Sequence, residues 1–196
     1  MYSQFVSYPR IETRNFAQSR VQLSKRAEYA LRVLLSLAMA RTVGRTLVPL
    51  TALAEAERIP VHFLEQILFS LRQGGHLHST RGKNGGYSLT EASAAMRVGD
   101  LIRFLDGPLA PIACASITGY QRCTCQDEAT CGVRRLMVQA REALSQVFDS
   151  LTLQTFAERT LAEYQAVNVR PPLLAFLETA GKAKVPSKEA EPEYLI

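Results

Sequence analysis

The sequence predicts a mainly α-helical chain carrying a small β-hairpin wing, a winged helix-turn-helix with a long dimerisation helix behind it. Three observations predict it: helical apolar spacing through three stretches between Ser24 and Gly74, a proline separating the second from the third, and a glycine-rich tip between alternating residues directly afterwards. In the first stretch, "SKRAEYALRVLLSLAMA", Ala27, Ala30, Leu31, Leu34, Leu35 and Ala38 share one face, and Ser24 is the natural N-cap. After Gly44, "VPLTALAEAERIPVHFLEQILFSLRQGG" divides at Pro60, which lacks an N–H, fixes φ and biases Ile59 away from helical angles. Its second half turns Phe63, Leu64, Ile67, Leu68 and Leu71 to one side and ends at Gly74-Gly75. "HLHSTRGKNGGYSLT" then runs through Leu77, Ser79 and Arg81 into the tip and out through Tyr87 and Leu89, which is a hairpin.

Downstream, "RVGDLIRFLDG" predicts a short helix closed by Gly107-Pro108, and every cysteine of the chain falls in the loop that follows, "CASITGYQRCTCQDEATC". From Gly132, "VRRLMVQAREALSQVFDSL" keeps an apolar stripe of Val133, Leu136, Met137, Ala140, Ala143, Leu144, Val147, Phe148 and Leu151. So long a stripe beside so small a domain implies a partner helix from a second copy, although part of it packs on its own domain. A last short helix is expected near Leu173 to Leu177, before a tail rich in Lys, Glu and Pro. The expected organisation is an N-terminal extension over 1–22, a DNA-binding domain over 23–110, a cysteine-rich sensor loop over 111–131, a dimerisation helix over 132–153, a helical extension over 154–181 and a disordered tail over 182–196.

Composition bounds the function classes. The 196 residues are 47% hydrophobic and 21% charged, enough apolar material for a core, and the net charge of +5 suits an anionic partner. The longest apolar run, Val33 to Ala40, is far short of the roughly 20 residues that span a bilayer, and the N-terminus lacks the apolar region of a secretory signal, so a cytoplasmic protein without a membrane segment is expected. Catalysis is not expected. The histidines, His62, His76 and His78, sit on the predicted recognition helix and wing, away from any nucleophile arrangement.

A recognition helix needs polar side chains on its outer N-terminal face, where base edges lie. His62, Glu65 and Gln66 are opposite Phe63, Leu64 and Ile67: Gln66 suits adenine, Glu65 can accept from cytosine, and His62 can meet a base or phosphate. In the wing, Arg81 followed by glycine can enter a minor groove, with Lys83 and Asn84 at the tip near phosphates. Two such units imply a palindromic double-stranded site.

Together "LSKRAEYALRVLLSLA", "IPVHFLEQILFSLRQGGHLHSTRGKNGGYSL", "VGDLIRFLDGPLAP" and the cysteine loop resemble the Rrf-two-type bacterial transcription regulators, from Leu23 to about Leu153. "LEQIL" followed by "RGxxGGYxL" is the most specific part. The resemblance implies a homodimeric winged-helix repressor or activator in which the residue matching Arg81 enters the minor groove and those matching His62, Glu65 and Gln66 face bases.

Cluster-bearing members of the family carry three loop cysteines at five-residue gaps. Cys125 and Cys131 match the second and third, whereas ten residues separate Cys114 from Cys125, and Cys123 is additional. The resemblance therefore implies an iron–sulfur cluster, 2Fe–2S with 4Fe–4S as the alternative, on Cys114, Cys131 and either Cys125 or Cys123, sensing iron–sulfur, nitric oxide or redox status. For the fourth ligand, IscR-like members use a histidine three residues after the last cysteine, but Arg134 stands there and cannot bind iron. NsrR-like members use a carboxylate early in the first helix, which matches Glu28; Cys123 is the other choice. Three further readings stay open: zinc, for which CxxC knuckles are missing; a thiol redox switch favoured by Arg122, Arg134 and the start of the long helix; and a cluster-free regulator controlled by a partner protein, as in CymR-like members.

Overall fold

The structure is a computed structural model that describes residues 22–82 and 84–182. Helix α1 (Lys25–Thr42) begins where the Ser24 hydroxyl accepts from the Ala27 N–H at 3.1 Å. Helix α2 (Leu50–Glu57) stops at Arg58, which takes the left-handed conformation with φ 53° and ψ 45°. Three residues later α3 (Val61–Gln73) starts behind Pro60, so α2 and α3 form the helix-turn-helix.

Strands β1 (Leu77–Thr80) and β2 (Gly86–Leu89) pair antiparallel, with Leu77 opposite Leu89 and Ser79 opposite Tyr87. The chain before α2 extends this sheet: Val48 and Tyr87 exchange backbone hydrogen bonds of 2.9 and 2.8 Å. That approach needs glycine beside it, because a Cβ at Gly86 would overlap the Val48 carbonyl. The mainly helical architecture with a hairpin wing is the fold class the sequence predicts.

One core unites these elements. Leu34, Leu53, Leu64, Ile67, Leu68 and Leu71 are each less than 2% exposed, and burial of one such side chain is worth about 1.5–3 kcal/mol. Two later helices complete it. Helix α7 (Leu153–Ala166) lays Leu153, Ala157 and Leu161 on α1, and α8 (Pro172–Lys182) lays Leu173 against the same core.

Between the wing and the cysteine loop lie a five-residue α4 (Glu91–Ala95), capped by Thr90, and α5 (Val98–Asp106). Helix α6 (Gly132–Asp149) follows the cysteine loop. The stripe expected to run through Leu151 in one helix, within a segment taken to end at 153, is broken there. Leu151 O accepts from Val98 N at 3.0 Å, Leu153 N donates to Met96 O at 2.9 Å, and Thr152 caps α7 as a separate helix. The last helix is longer than expected, since Pro172 serves as its first residue. The N-terminal extension (1–21), Lys83 and the tail (183–196) lie outside the described residues. No helix among the described residues is long and apolar enough to cross a membrane.

Candidate nucleic-acid interface and cysteine loop

Between α3 and the wing lies a groove of about 950 Å³. His62, Glu65 and Gln66 enter it from α3 and Arg81 from the turn after β1, so four of the sequence-predicted residues share one concave face. Asn84 is exposed at the wing tip and does not line the groove, while Lys83 is the one predicted residue of this face not described.

The groove also holds residues that sequence reasoning passed over. Arg26, at the start of α1, donates to the Ser70 hydroxyl at 2.7 Å, and that hydroxyl donates to the Gln66 carbonyl at 2.9 Å. Arg72 reaches the Ser79 hydroxyl of the wing at 3.4 Å and lies 5.5 Å from the centre of the Phe69 ring. Arg26, Arg72 and Arg81 outweigh Glu65, giving a cationic concavity suited to a phosphate backbone. The signal for Arg72 was its spacing: it stands seven residues, two turns, beyond Glu65.

The wing is fastened by His76, whose Nδ1 is 2.8 Å from the Ser93 hydroxyl and whose ring meets Phe104 edge-on. Burial pushes its imidazole below the ordinary histidine range.

The cysteine loop has no regular structure beyond a single turn at Ala113–Ala115, yet it gathers its sulfurs. Cys114 is buried, the other three are half-buried, and none of the four is joined in a disulfide. The thiols are near enough to influence one another in series, Cys114 with Cys123, Cys123 with Cys125, and Cys125 with Cys131. Two accept backbone hydrogen bonds as well: Cys123 Sγ from Cys125 N at 3.3 Å, and Cys131 Sγ from Arg134 N at 3.5 Å, where it caps α6. The Cys125 N–H draws the Cys123 thiol below its usual range, its bond to Cys123 pushes Cys125 up to about 12, and burial raises Cys114. Among the described residues, no three His, Cys, Asp or Glu side chains are arranged around one point as a metal site. Glu28 is engaged on its own helix by Lys25 at 2.6 Å and Arg32 at 4.0 Å.

A carboxylate that the sequence reading missed braces the loop. Glu128 accepts from the Cys123 N–H and from the Tyr120 hydroxyl at 2.8 Å, with Arg134 at 3.9 Å, and these partners hold it below the usual carboxylate range. Two arginines of α6 grip the turn carrying Cys114: Arg134 Nε donates to the Cys114 carbonyl at 3.0 Å and Arg141 to the Ala115 carbonyl at 2.5 Å. At the far end of α6, Asp149 accepts two bonds from Arg103 of α5, at 2.9 and 2.8 Å.

An Rrf2 profile, described as an iron-dependent transcriptional regulator, matches residues 23–159. The chain is 38% identical over 134 residues to an rrf2-like HTH-type transcriptional regulator of Rhodobacter capsulatus, covering 67% of this chain and 89% of that one. It is 32% identical over 146 residues to the HTH-type regulator CymR of Bacillus subtilis, covering 74% and 96%. The solved structure of that protein, described as the global cysteine regulator, matches with a TM-score of 0.58 at 30% identity, covering 70% of this chain and 97% of that one. Identity to the HTH-type regulator NsrR of Geobacillus kaustophilus is 31% over 138 residues, covering 70% and 90%.

Proposed function

The chain belongs to the Rrf2 family of transcriptional regulators, and from that premise we propose a cytoplasmic homodimer whose α3 and wing read a palindromic DNA site under control of the cysteine loop. His62, Glu65 and Gln66 meet base edges and Arg81 enters the minor groove, with Asn84 and Lys83 at neighbouring phosphates. The two copies pair through the stripe of α6, where Val133 is 62% and Leu136 58% exposed in the single chain.

Cys114, Cys123, Cys125 and Cys131 would hold an iron–sulfur cluster. Their chemistry and number fit it, since such clusters take cysteine thiolates as ligands. The observation that carries this reading is that one loop brings all four free cysteines to the start of α6, where Cys131 caps the helix, Arg134 holds the Cys114 carbonyl and the Cys125 N–H bonds to Cys123 Sγ. Cys123 serves as the fourth ligand rather than Glu28, which Lys25 and Arg32 already neutralise. A bound cluster supplies a centre that nitric oxide, oxidants or iron shortage alter. Arg134 and Arg141 pass the state of the loop to α6 through the Cys114 and Ala115 carbonyls. Movement of α6 against its copy changes the spacing of the two α3 helices, and half-site spacing is fixed by the DNA.

Purification and reconstitution with iron and sulfide under anaerobic conditions test it: visible absorption with acid-labile sulfide is expected, and a colourless protein contradicts the cluster. The same contacts favour one second reading, a thiol switch. Cys114 and Cys123 would surrender two protons and two electrons to hydrogen peroxide, forming one disulfide and two waters. A colourless protein that forms this disulfide with peroxide, and then binds DNA differently, supports that reading instead.

A further inference from the structure

Helix α3 has one feature that hydrogen-bonding readout does not use. Leu64, Ile67, Leu68 and Leu71 face the core, and the opposite side carries His62, Glu65, Gln66 and Phe69. These four follow the i, i+3, i+4, i+7 spacing with which a helix lying along the major groove presents side chains to successive bases. Phe69 is 54% exposed and lines the same groove as Gln66 and Arg81. Its exposure on the wall of this groove leaves apolar area that a bound partner would remove from water.

The ring is also held in place. Arg72 lies over it at 5.5 Å while bonding to Ser79, which links ring, guanidinium and wing along the groove. A phenyl ring can neither neutralise a phosphate nor hydrogen-bond a base edge. The major-groove feature it complements is the C5-methyl group of thymine, which adenine, guanine and cytosine lack.

We propose that Phe69 is a specificity-determining residue that reads one thymine methyl in each half-site, one helical turn beyond the bases met by Glu65 and Gln66. The inference rests on the DNA-reading role of α3 proposed above. It requires a thymine at a fixed position whose methyl group, and not its hydrogen-bonding edge, is recognised.

Selection of the preferred duplex from a random DNA pool by the full-length protein, followed by replacement of each thymine with deoxyuridine, tests this. Deoxyuridine keeps every hydrogen-bonding group and loses only the methyl. One position per half-site should weaken binding about fourfold, the worth of one buried methyl-sized group. Phe69→Ala should bind the original duplex more weakly and be indifferent to deoxyuridine at that position. Phe69→Leu, which keeps an apolar contact, should retain part of the sensitivity, and both variants should melt as the parent does because the ring lies outside the core. The inference is overturned if no deoxyuridine penalty disappears in Phe69→Ala, or if Phe69→Ala alters self-association while leaving DNA preference intact. A parent protein that selects no sequence and shows no salt-dependent DNA binding overturns the DNA-reading role itself. One that selects a site without any methyl-sensitive thymine overturns only the role of Phe69.

Discussion

The DNA-reading head and the α6 arm are built on opposite principles, although both are helical and amphipathic. In the head, α1, α3, α7 and α8 bury their apolar faces in one core, and Leu34, Leu64, Ile67 and Leu153 are all but sealed. Along α6 no residue is buried at all. Polar bonds along its length position it instead, Arg134 and Arg141 to the cysteine turn and Arg103 to Asp149. A buried core fixes geometry at large energetic cost to any change, whereas a few charge-assisted bonds can be rearranged for about 1–3 kcal/mol each. The contrast places rigidity at the proposed base-reading surface and adjustability beside the thiols.

The largest effect should come from the head. Leu64→Ala should lower the unfolding free energy by about 3–5 kcal/mol in chemical denaturation; a loss under about 1 kcal/mol would mean that α3 is not held as described. Next comes the arm, where Leu136→Asp should keep the helical content and raise the dimer dissociation constant more than about tenfold in sedimentation, since it places a charge in an apolar interface. An unchanged dimer would remove α6 from the interface.

Asp149→Asn should cost about 1–2 kcal/mol locally and speed hydrogen exchange at the end of α6. Arg103 holds the Asp149 carboxyl below the ordinary range, so its contribution is present above the usual carboxylate pKa, about 4, and is lost as pH falls through the lower folded value. The parent should therefore loosen at this end in acid, and Asp149→Asn should show no such step. The smallest effect is in the turn between α2 and α3. Arg58→Gly relieves a left-handed residue and should stabilise the head by about 1 kcal/mol; a destabilised variant would show that the Arg58 side chain matters more than its backbone.

Periodicity and punctuation made the head readable from sequence. Ser24, Pro60 and Gly74 mark helix limits chemically, and the apolar spacing of α1 and α3 matches the faces that are buried. The boundary between α6 and α7 was not readable, because Leu151 and Leu153 continue the apolar sequence without glycine or proline. The break is made by backbone bonds to Met96 and Val98, more than fifty residues away in the chain. Helix α4 is too short to show a period. In the site, polar residues on the outer face of α3 could be grouped with Arg81, whereas Phe69 was passed over because an apolar residue on a helix reads first as core. Glu128 belongs to irregular backbone, where spacing carries no signal, and the grip of Arg134 and Arg141, though two turns apart on α6, falls on a turn whose position the sequence pattern does not give.

The central claim is that the state of the cysteines reaches the recognition helices through α6. Fluorescence anisotropy with the selected duplex, on the same preparation before and after its cluster is removed or its thiols are oxidised, tests it directly. The parent protein should change affinity by at least about tenfold between the two states, and Arg134→Ala/Arg141→Ala, which releases the cysteine turn from α6, should bind DNA with nearly equal affinity in both. Equal affinity of the parent in both states would contradict the account.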